Sequence, residues 1–238
     1  MRLVPDRRDD AEWIDRPDNT VADLRAAFGD IGWTHRWLGG RAVLLSALGP
    51  YLDRSDGPLR ILDVGTGAAD LPLAIIAWAR RLGRPVEVVG LDRDFGVTSI
   101  AAGAAAGCAE LTVVCADARR LPFDDRSFDL VTASLFLHHF GPGEWIKLLG
   151  GFRRVARRAV VVCDLRRHLL PWVFLAGLAR LTRRHPMFVH DAPLSVLRGF
   201  TDRELLDAAT ACGASSVSLR RRWPFRLLLT IRVEGEAA

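Results

Sequence analysis

Lysine is almost absent from this chain: of its 33 basic residues only Lys147 is a lysine, and the rest are arginine. We read the bias as composition rather than function. The net charge of +5 could draw the protein toward nucleic acid or an anionic membrane face. No arginine cluster interleaves with stacking aromatics, however, as nucleic-acid grooves require, so nucleic acid is not an expected partner. The runs Arg153-Arg154, Arg157-Arg158 and Arg220-Arg221-Arg222 read as solvated faces. Cysteine is scarce too. Cys108, Cys115, Cys163 and Cys212 never fall at C-x-x-C spacing, so no metal site is expected, and four reduced thiols suit a cytoplasmic location. The N-terminus is charged and lacks the apolar run of a secretory leader. The longest apolar stretch, Leu169 to Leu178, is too short to cross a bilayer and has arginine on both sides. There is no internal repeat, and no low-complexity segment beyond the alanine-rich 101–106.

The chain has 238 residues, 50% hydrophobic and 26% charged, which is enough apolar material for one α/β domain with a sizeable core. Its organising stretch is Arg60-Ile-Leu-Asp63-Val-Gly65-Thr66-Gly67-Ala-Ala69-Asp70. An apolar strand meets an acid and two glycines, and an apolar helix, Leu71–Leu82, follows. Glycine at 65 and 67 permits a sharp turn and close approach of a ligand to the backbone. A turn of this kind, opening onto a helix N-terminus, holds nucleotide-like cofactors at the carboxyl edge of a parallel sheet. A dinucleotide fingerprint would need Gly or Ala at 70. Asp70 stands there, and its carboxylate would repel a pyrophosphate. The acid at Asp63 suits a cationic ligand instead, and S-adenosylmethionine carries an ammonium and a sulfonium and no phosphate.

Taken in order, residues 1–18 are polar and expected to be frayed or loosely docked. Three helical segments follow, Val21–Phe28 capped by Asn19-Thr20, Ile31–Leu38, and Arg41–Leu52. A turn is expected at Ser55-Asp56-Gly57-Pro58. Strands Ile61–Val64, Val86–Leu91, Leu111–Cys115, Phe128–Ser134 and Ala159–Cys163 then alternate with helices Leu71–Leu82, Thr98–Gly107 and Trp145–Val155. That alternation predicts a parallel sheet covered on both faces. Beyond it lie an apolar segment, Leu169–Leu181, between Arg166-Arg167 and Arg183-Arg184, and a loop carrying Pro186, His190, Asp191 and Pro193. Thr201 and Glu204 form a capping box for a helix to about Cys212. Strands Val217–Trp223 and Phe225–Val233 close the chain.

The 60–70 stretch resembles motif I of class I S-adenosylmethionine-dependent methyltransferases, D/E-x-G-x-G-x-G, with Ala69 in the last glycine's place. Acids end the next two strands, Asp92 after Val-Val-Gly-Leu and Asp117 after Val-Val-Cys-Ala. The run Leu121-Pro-Phe-Asp-Asp125-Arg-Ser-Phe-Asp129-Leu-Val131 is close to that family's L-P-F-x-D-x-S-F-D-x-V. The resemblance is strong over residues 58–165. It points to the group holding quinone-biosynthesis and polyketide methyltransferases. The R-V-L-K-P-G-G turn of many members is missing before strand five, where Arg154-Val-Ala-Arg-Arg-Ala159 implies a shorter connection.

The resemblance implies a Rossmann-like α/β fold: a seven-stranded, mostly parallel sheet with helices on both faces, an antiparallel C-terminal hairpin and an N-terminal helical cap. One domain is expected, with a cap at 1–57, a cofactor-binding core at 58–164, a substrate-side insertion at 165–200 and a final helix and hairpin at 201–238. S-adenosylmethionine would lie against Asp63, Gly65, Thr66, Gly67, Asp70, Asp92, Arg93, Asp117, Ala118 and Ser134. Asp92 would take the ribose hydroxyls, and Asp117 with the Ala118 N–H the adenine. His138, with His139 beside it, is the candidate general base, because phenol methyltransferases carry a catalytic histidine in a similar segment and imidazole titrates near neutral pH. Trp33, His35, Arg36 and Trp37 are candidate lid residues. Phe136, Phe140, Trp172, Phe174, Met187 and Phe188 are candidate pocket walls, which suit a flat apolar acceptor.

Position 134–137 holds no N/D-P-P-Y/W run and no cysteine follows a proline, so nucleic-acid bases are poor acceptors. The expected reaction is methylation of a small phenolic, polyketide-like or quinone-like molecule, with O-methylation favoured over C-methylation. Two alternatives stand beside it. One is a membrane-surface C-methyltransferase of a prenylated quinone precursor, making peripheral membrane contact through Leu169–Leu181. The other is a non-catalytic cofactor-binding module. A nicotinamide enzyme is disfavoured by Asp70.

Overall fold

The computed structural model describes residues 3–53, 57–182 and 184–233. Ser55 and Asp56 of the expected turn, and Arg183, lie outside the described residues. Seven strands form one sheet: β1 Leu59–Val64, β2 Val86–Asp92, β3 Leu111–Cys115, β4 Phe128–Ser134, β5 Ala156–Leu165, β6 Ser216–Arg222 and β7 Arg226–Arg232. Their order is β3-β2-β1-β4-β5-β7-β6. The first five run parallel, and β7 is antiparallel to both neighbours. The expected sheet and closing hairpin are both present. β5 is apolar through Ala159–Cys163 and buried along that run, as a strand covered on both faces must be. β6 sits at the edge, where Arg220, Arg221 and Arg222 blunt its unpaired side.

Eight helices cover the sheet among the described residues: α1 Val21–Trp37, α2 Gly40–Asp53, α3 Asp70–Arg81, α4 Phe95–Ala104, α5 Pro142–Val155, α6 Leu169–Leu181, α7 Pro186–Arg198 and α8 Asp202–Ala211. One core packs Trp145, Leu148, Phe152 and Leu205 of α5 and α8 onto Val131, Val160 and Leu229. The opposite core packs Leu44, Leu48, Leu71 and Ile75 of α2 and α3 onto Ile61, Leu130 and Val161. Strand order reverses between β1 and β4, so the carboxyl ends of β1, β2, β3 and β4 open a crevice at that switch point.

Four expectations change. Val21–Phe28 and Ile31–Leu38 are one helix. Thr20 and Asp23 cap it reciprocally, with the Asp23 N–H donating to Thr20 Oγ1 at 3.2 Å, and Gly29 lies within it without ending it. The proline-bearing stretch expected as a loop is α7. Pro186 takes the first helical position, where its missing N–H costs nothing, and Pro193 is carried inside the helix. Residues 3–18 are docked rather than frayed. Arg7 donates to the carbonyls of His138 (3.2 Å) and Phe140 (2.8 Å). The Trp13 and Ile14 N–H groups donate to the two oxygens of Asp191 at 2.8 and 2.9 Å. Fourth, α5 runs into β5 with no intervening turn, so the connection shortened by the missing Gly-Gly has vanished.

Candidate active site

The turn after β1 is built on backbone that side chains resist. Gly65 has φ +70 and Gly67 φ +54, and a Cβ there would meet the Phe136 ring at 2.1 Å and the Phe28 ring at 2.6 Å. Ala69, in the place of the third motif glycine, keeps the left-handed conformation with φ 64, at a cost of roughly 1–2 kcal/mol. Phe28 belongs to α1, so the N-terminal helix lies directly over the glycine turn.

Around this turn is a cavity of about 420 Å³. All twelve residues picked from the sequence line it: Asp63, Gly65, Thr66, Gly67, Asp70, Asp92, Arg93, Asp117, Ala118, Ser134, His138 and His139. Asp63, next to last in β1, is buried and accepts from Thr132 Oγ1 at 2.7 Å. Burial, together with the nearby Asp70 and Asp92, pushes its carboxyl up to about 7. Asp92 accepts from the Gly67 N–H and the Asp94 N–H, both at 3.2 Å, and burial raises it too. Asp117 accepts from the Arg119 N–H at 2.9 Å. Asp70 starts α3 and sits 2.8 Å from His35 Nδ1. Arg93 faces Asp15 at 3.8 Å. The Ser134 hydroxyl is buried and without a hydrogen-bond partner.

Beyond β4 the chain is forced into one shape. Leu135 takes a left-handed φ of 51, and the Phe136 and His138 N–H groups then reach Asp164 Oδ2 at 3.2 and 3.4 Å. Asp164 is next to last in β5, as Asp63 is in β1. Its Oδ1 lies 2.7 Å from His138 Nδ1. Burial opposes its charge, but the imidazole and the backbone donors outweigh it and hold the carboxyl below the usual range. An ionised Asp164 keeps the Nδ1 hydrogen on His138, leaving Nε2 as the acceptor. His139 differs. Burial pushes its pKa down, but Glu12 and the 2.8 Å contact from Nδ1 to Asp15 push it up further, to about 9.

Of the expected walls, Phe136, Phe140, Phe174, Met187 and Phe188 line the cavity and Trp172 does not. Of the lid candidates only His35 lines it. Trp33 packs under Arg184, and Trp37 is exposed with Arg36 over its ring. Sequence reading missed Glu12, Asp15, Asp164 and Arg198. Asp164 carried a usable signal, an acid closing an apolar strand. Glu12 and Asp15 sit in a polar segment with no periodicity, and Arg198 lies in the helix taken for a loop.

This strand order, with a glycine turn and acids at successive strand ends, defines a Rossmann-like cofactor-binding fold of the methyltransferase type. Comparison with known proteins agrees. Residues 61–159 match the family described as methyltransferase domain. A demethylmenaquinone methyltransferase of Staphylococcus epidermidis is 31% identical over 105 residues, 44% of this chain and 42% of that protein. The chain thus spans under half the length of the curated relatives it matches. Among solved structures, a putative O-methyltransferase from Nostoc punctiforme superposes with TM-score 0.63 at 17% identity, over 93% of this chain and 63% of that one. An Aquifex aeolicus SAM-dependent methyltransferase gives 0.63 at 15%, over 91% and 100%. Magnesium protoporphyrin IX methyltransferase from Synechocystis, with bound SAH, gives 0.57 at 16%, over 92% and 90%. No helix among the described residues is long and apolar enough to cross a membrane.

Proposed function

We propose that this protein binds S-adenosylmethionine and transfers its methyl group to a hydroxyl of a small, apolar, phenolic, polyketide-like or quinone-like molecule. The observation that carries the reading is one shared cavity. The glycine turn, the acids Asp63, Asp92 and Asp117, and His138, whose Nδ1 is held by Asp164, all border it together with Phe136, Phe140 and Phe174. Asp92 would accept from the ribose hydroxyls, and Asp117 and the Ala118 N–H would meet the adenine. Asp63 and Asp70 would meet the cationic end, and Thr66, Arg93 and Ser134 the remaining edge.

Transfer is an in-line displacement. The acceptor oxygen bonds to the methyl carbon, the carbon–sulfur bond breaks with its electron pair going to sulfur, and the hydroxyl proton passes to His138 Nε2. Orientation in a dry site supplies up to roughly 7–11 kcal/mol, and a positioned base adds about 10²–10⁴-fold. Incubation with S-adenosylmethionine and an acceptor panel tests the proposal. A product heavier by one methylene supports it; tight cofactor binding with no product from any acceptor would make the chain a cofactor-binding module.

A second reading rests on α6. Leu170, Val173 and Leu181 are exposed on it, and Trp223, 82% exposed, stands at the hairpin turn beside Phe225, whose ring in turn meets Phe174 at the cavity rim. This apolar surface with arginines beside it suits a lipid face and a prenylated acceptor. Co-sedimentation with anionic vesicles that weakens with salt would favour it.

A further inference from the structure

We propose that Glu12, His138 and His139 form a binding site for a divalent transition metal of the zinc class, open on its fourth side to the cavity. Glu12 Oε1 lies 3.6 Å from His138 Nε2, and Glu12 Oε2 lies 3.9 Å from His139 Nε2. The three ligand atoms all fall within 4.8 Å of one another. A tetrahedral ion with bonds of about 2.0–2.1 Å spaces its ligands roughly 3.4 Å apart, and the two carboxylate–imidazole separations lie within about 0.5 Å of that.

The outer shell is already in place. His138 Nδ1 is held by Asp164 at 2.7 Å and His139 Nδ1 by Asp15 at 2.8 Å. That leaves both Nε2 atoms turned toward one carboxylate, the carboxylate–histidine–metal arrangement. Glu12 itself is 2% exposed, and its Oε1 has no hydrogen-bond partner, a costly state for a buried oxygen. Arg198 Nε is 3.6 Å from that oxygen but donates to the His138 carbonyl, and its other nitrogens donate to the carbonyls of Asp10 and His139. It offsets charge without satisfying Glu12. All three ligands line the cavity, so the fourth position faces the place of the acceptor. Two histidines and one carboxylate with an open position suit zinc or its neighbours. Cysteine spacing could not have shown the site, because its ligands are imidazole and carboxylate, and Glu12 is far from the histidines in sequence.

The consequence rests on the methyl-transfer reading. With the ion bound, Nε2 of His138 is occupied. The acceptor oxygen would then meet the cation, and its proton would leave to water, which favours acceptors with a phenolic or enolic hydroxyl.

The experiment titrates chelator-stripped whole protein with Co²⁺ and Zn²⁺. One equivalent per chain is expected, with a four-coordinate Co²⁺ visible band that Zn²⁺ bleaches. Glu12→Gln and His139→Ala should each weaken binding at least ten-fold, and Asp15→Asn by about 10–100-fold. Melting curves and calorimetric S-adenosylmethionine affinity on the same samples establish folding. Absence of stoichiometric binding, or Co²⁺ binding unchanged in both ligand variants, would overturn the site. Failure of the metal-free protein to bind S-adenosylmethionine would strike the methyl-transfer reading instead and leave the metal result standing.

Discussion

The His138 imidazole and the Asp164 carboxylate meet at 2.7 Å with both side chains out of solvent. The contact joins the ends of adjacent strands β4 and β5 and aims Nε2 into the cavity. Asp164 also takes the Leu165 N–H at 2.8 Å, so the pair is fixed from both strands. Removing the imidazole outright would leave a buried unpaired charge, costing roughly 3–5 kcal/mol. Glutamine at 138 can still donate to Asp164. His138→Gln should therefore fold, keep S-adenosylmethionine affinity within about three-fold, and lose roughly 10²–10⁴-fold in turnover. Steady-state rates alongside calorimetry check this, and near-normal turnover would remove His138 from the chemistry.

Asp92→Ala addresses the cofactor. The carboxylate holds the Gly67 and Asp94 N–H groups at 3.2 Å, so each oxygen keeps capacity for a ribose hydroxyl. Losing it should weaken S-adenosylmethionine binding by about 1–3 kcal/mol. Calorimetry that finds unchanged affinity would rule out this placement of the ribose.

Gly65→Ala probes the turn itself. The added methyl meets the Phe136 ring at 2.1 Å on a backbone with φ +70, so the ring must leave and the residue is strained, at about 1–3 kcal/mol for the strain alone. The melting temperature and cofactor affinity should fall together. A variant as stable as the parent would mean that Phe136 does not rest on the turn in solution.

The sheet was legible because its strands are short apolar runs with acids at their ends. β3 and β4 span the predicted residues, and all twelve predicted site residues border one cavity. What escaped depends on distant partners. Pro186 and Pro193 read as loop residues, yet α7 starts on one and contains the other, and its Asp191 anchors Trp13 and Ile14. Glu12 sits in a polar stretch whose order comes from contacts more than a hundred residues away, including Arg198. No local pattern encodes such a contact.

Closure should be visible in hydrogen exchange. Phe28 of α1 covers the glycine turn, and Phe174, Met187 and Phe188 of α6 and α7 wall the cavity. Amides in 21–37 and in 165–200 should exchange more slowly with cofactor and acceptor present. Equal rates with and without ligands would make both segments a fixed scaffold.

Asp63 carries a pH dependence whose sign follows from its burial. Its carboxyl ordinarily titrates near 3.8 and is pushed up to about 7 in the folded protein, by burial first and then by Asp70 and Asp92, against the hydrogen bond from Thr132. Between those values the folded chain holds a proton that the unfolded chain has released. Stability from this group is therefore full at low pH and drains as pH rises toward 7, by up to about 4 kcal/mol for a shift of this size. Asparagine fills the same volume, can still bond Thr132 Oγ1, and does not ionise. Asp63→Asn should thus gain stability relative to the parent as pH goes from 5 to 8.5, and the difference between the two proteins isolates this group from all others that titrate. Denaturant midpoints for both proteins across that range decide it. A constant or shrinking difference would mean that Asp63 is ionised in the folded protein at neutral pH. In that case its charge is already available to a cationic cofactor. If instead the difference grows as expected, binding of such a cofactor below pH 7 must release a proton from Asp63, and calorimetry in buffers of different ionisation enthalpy should register it.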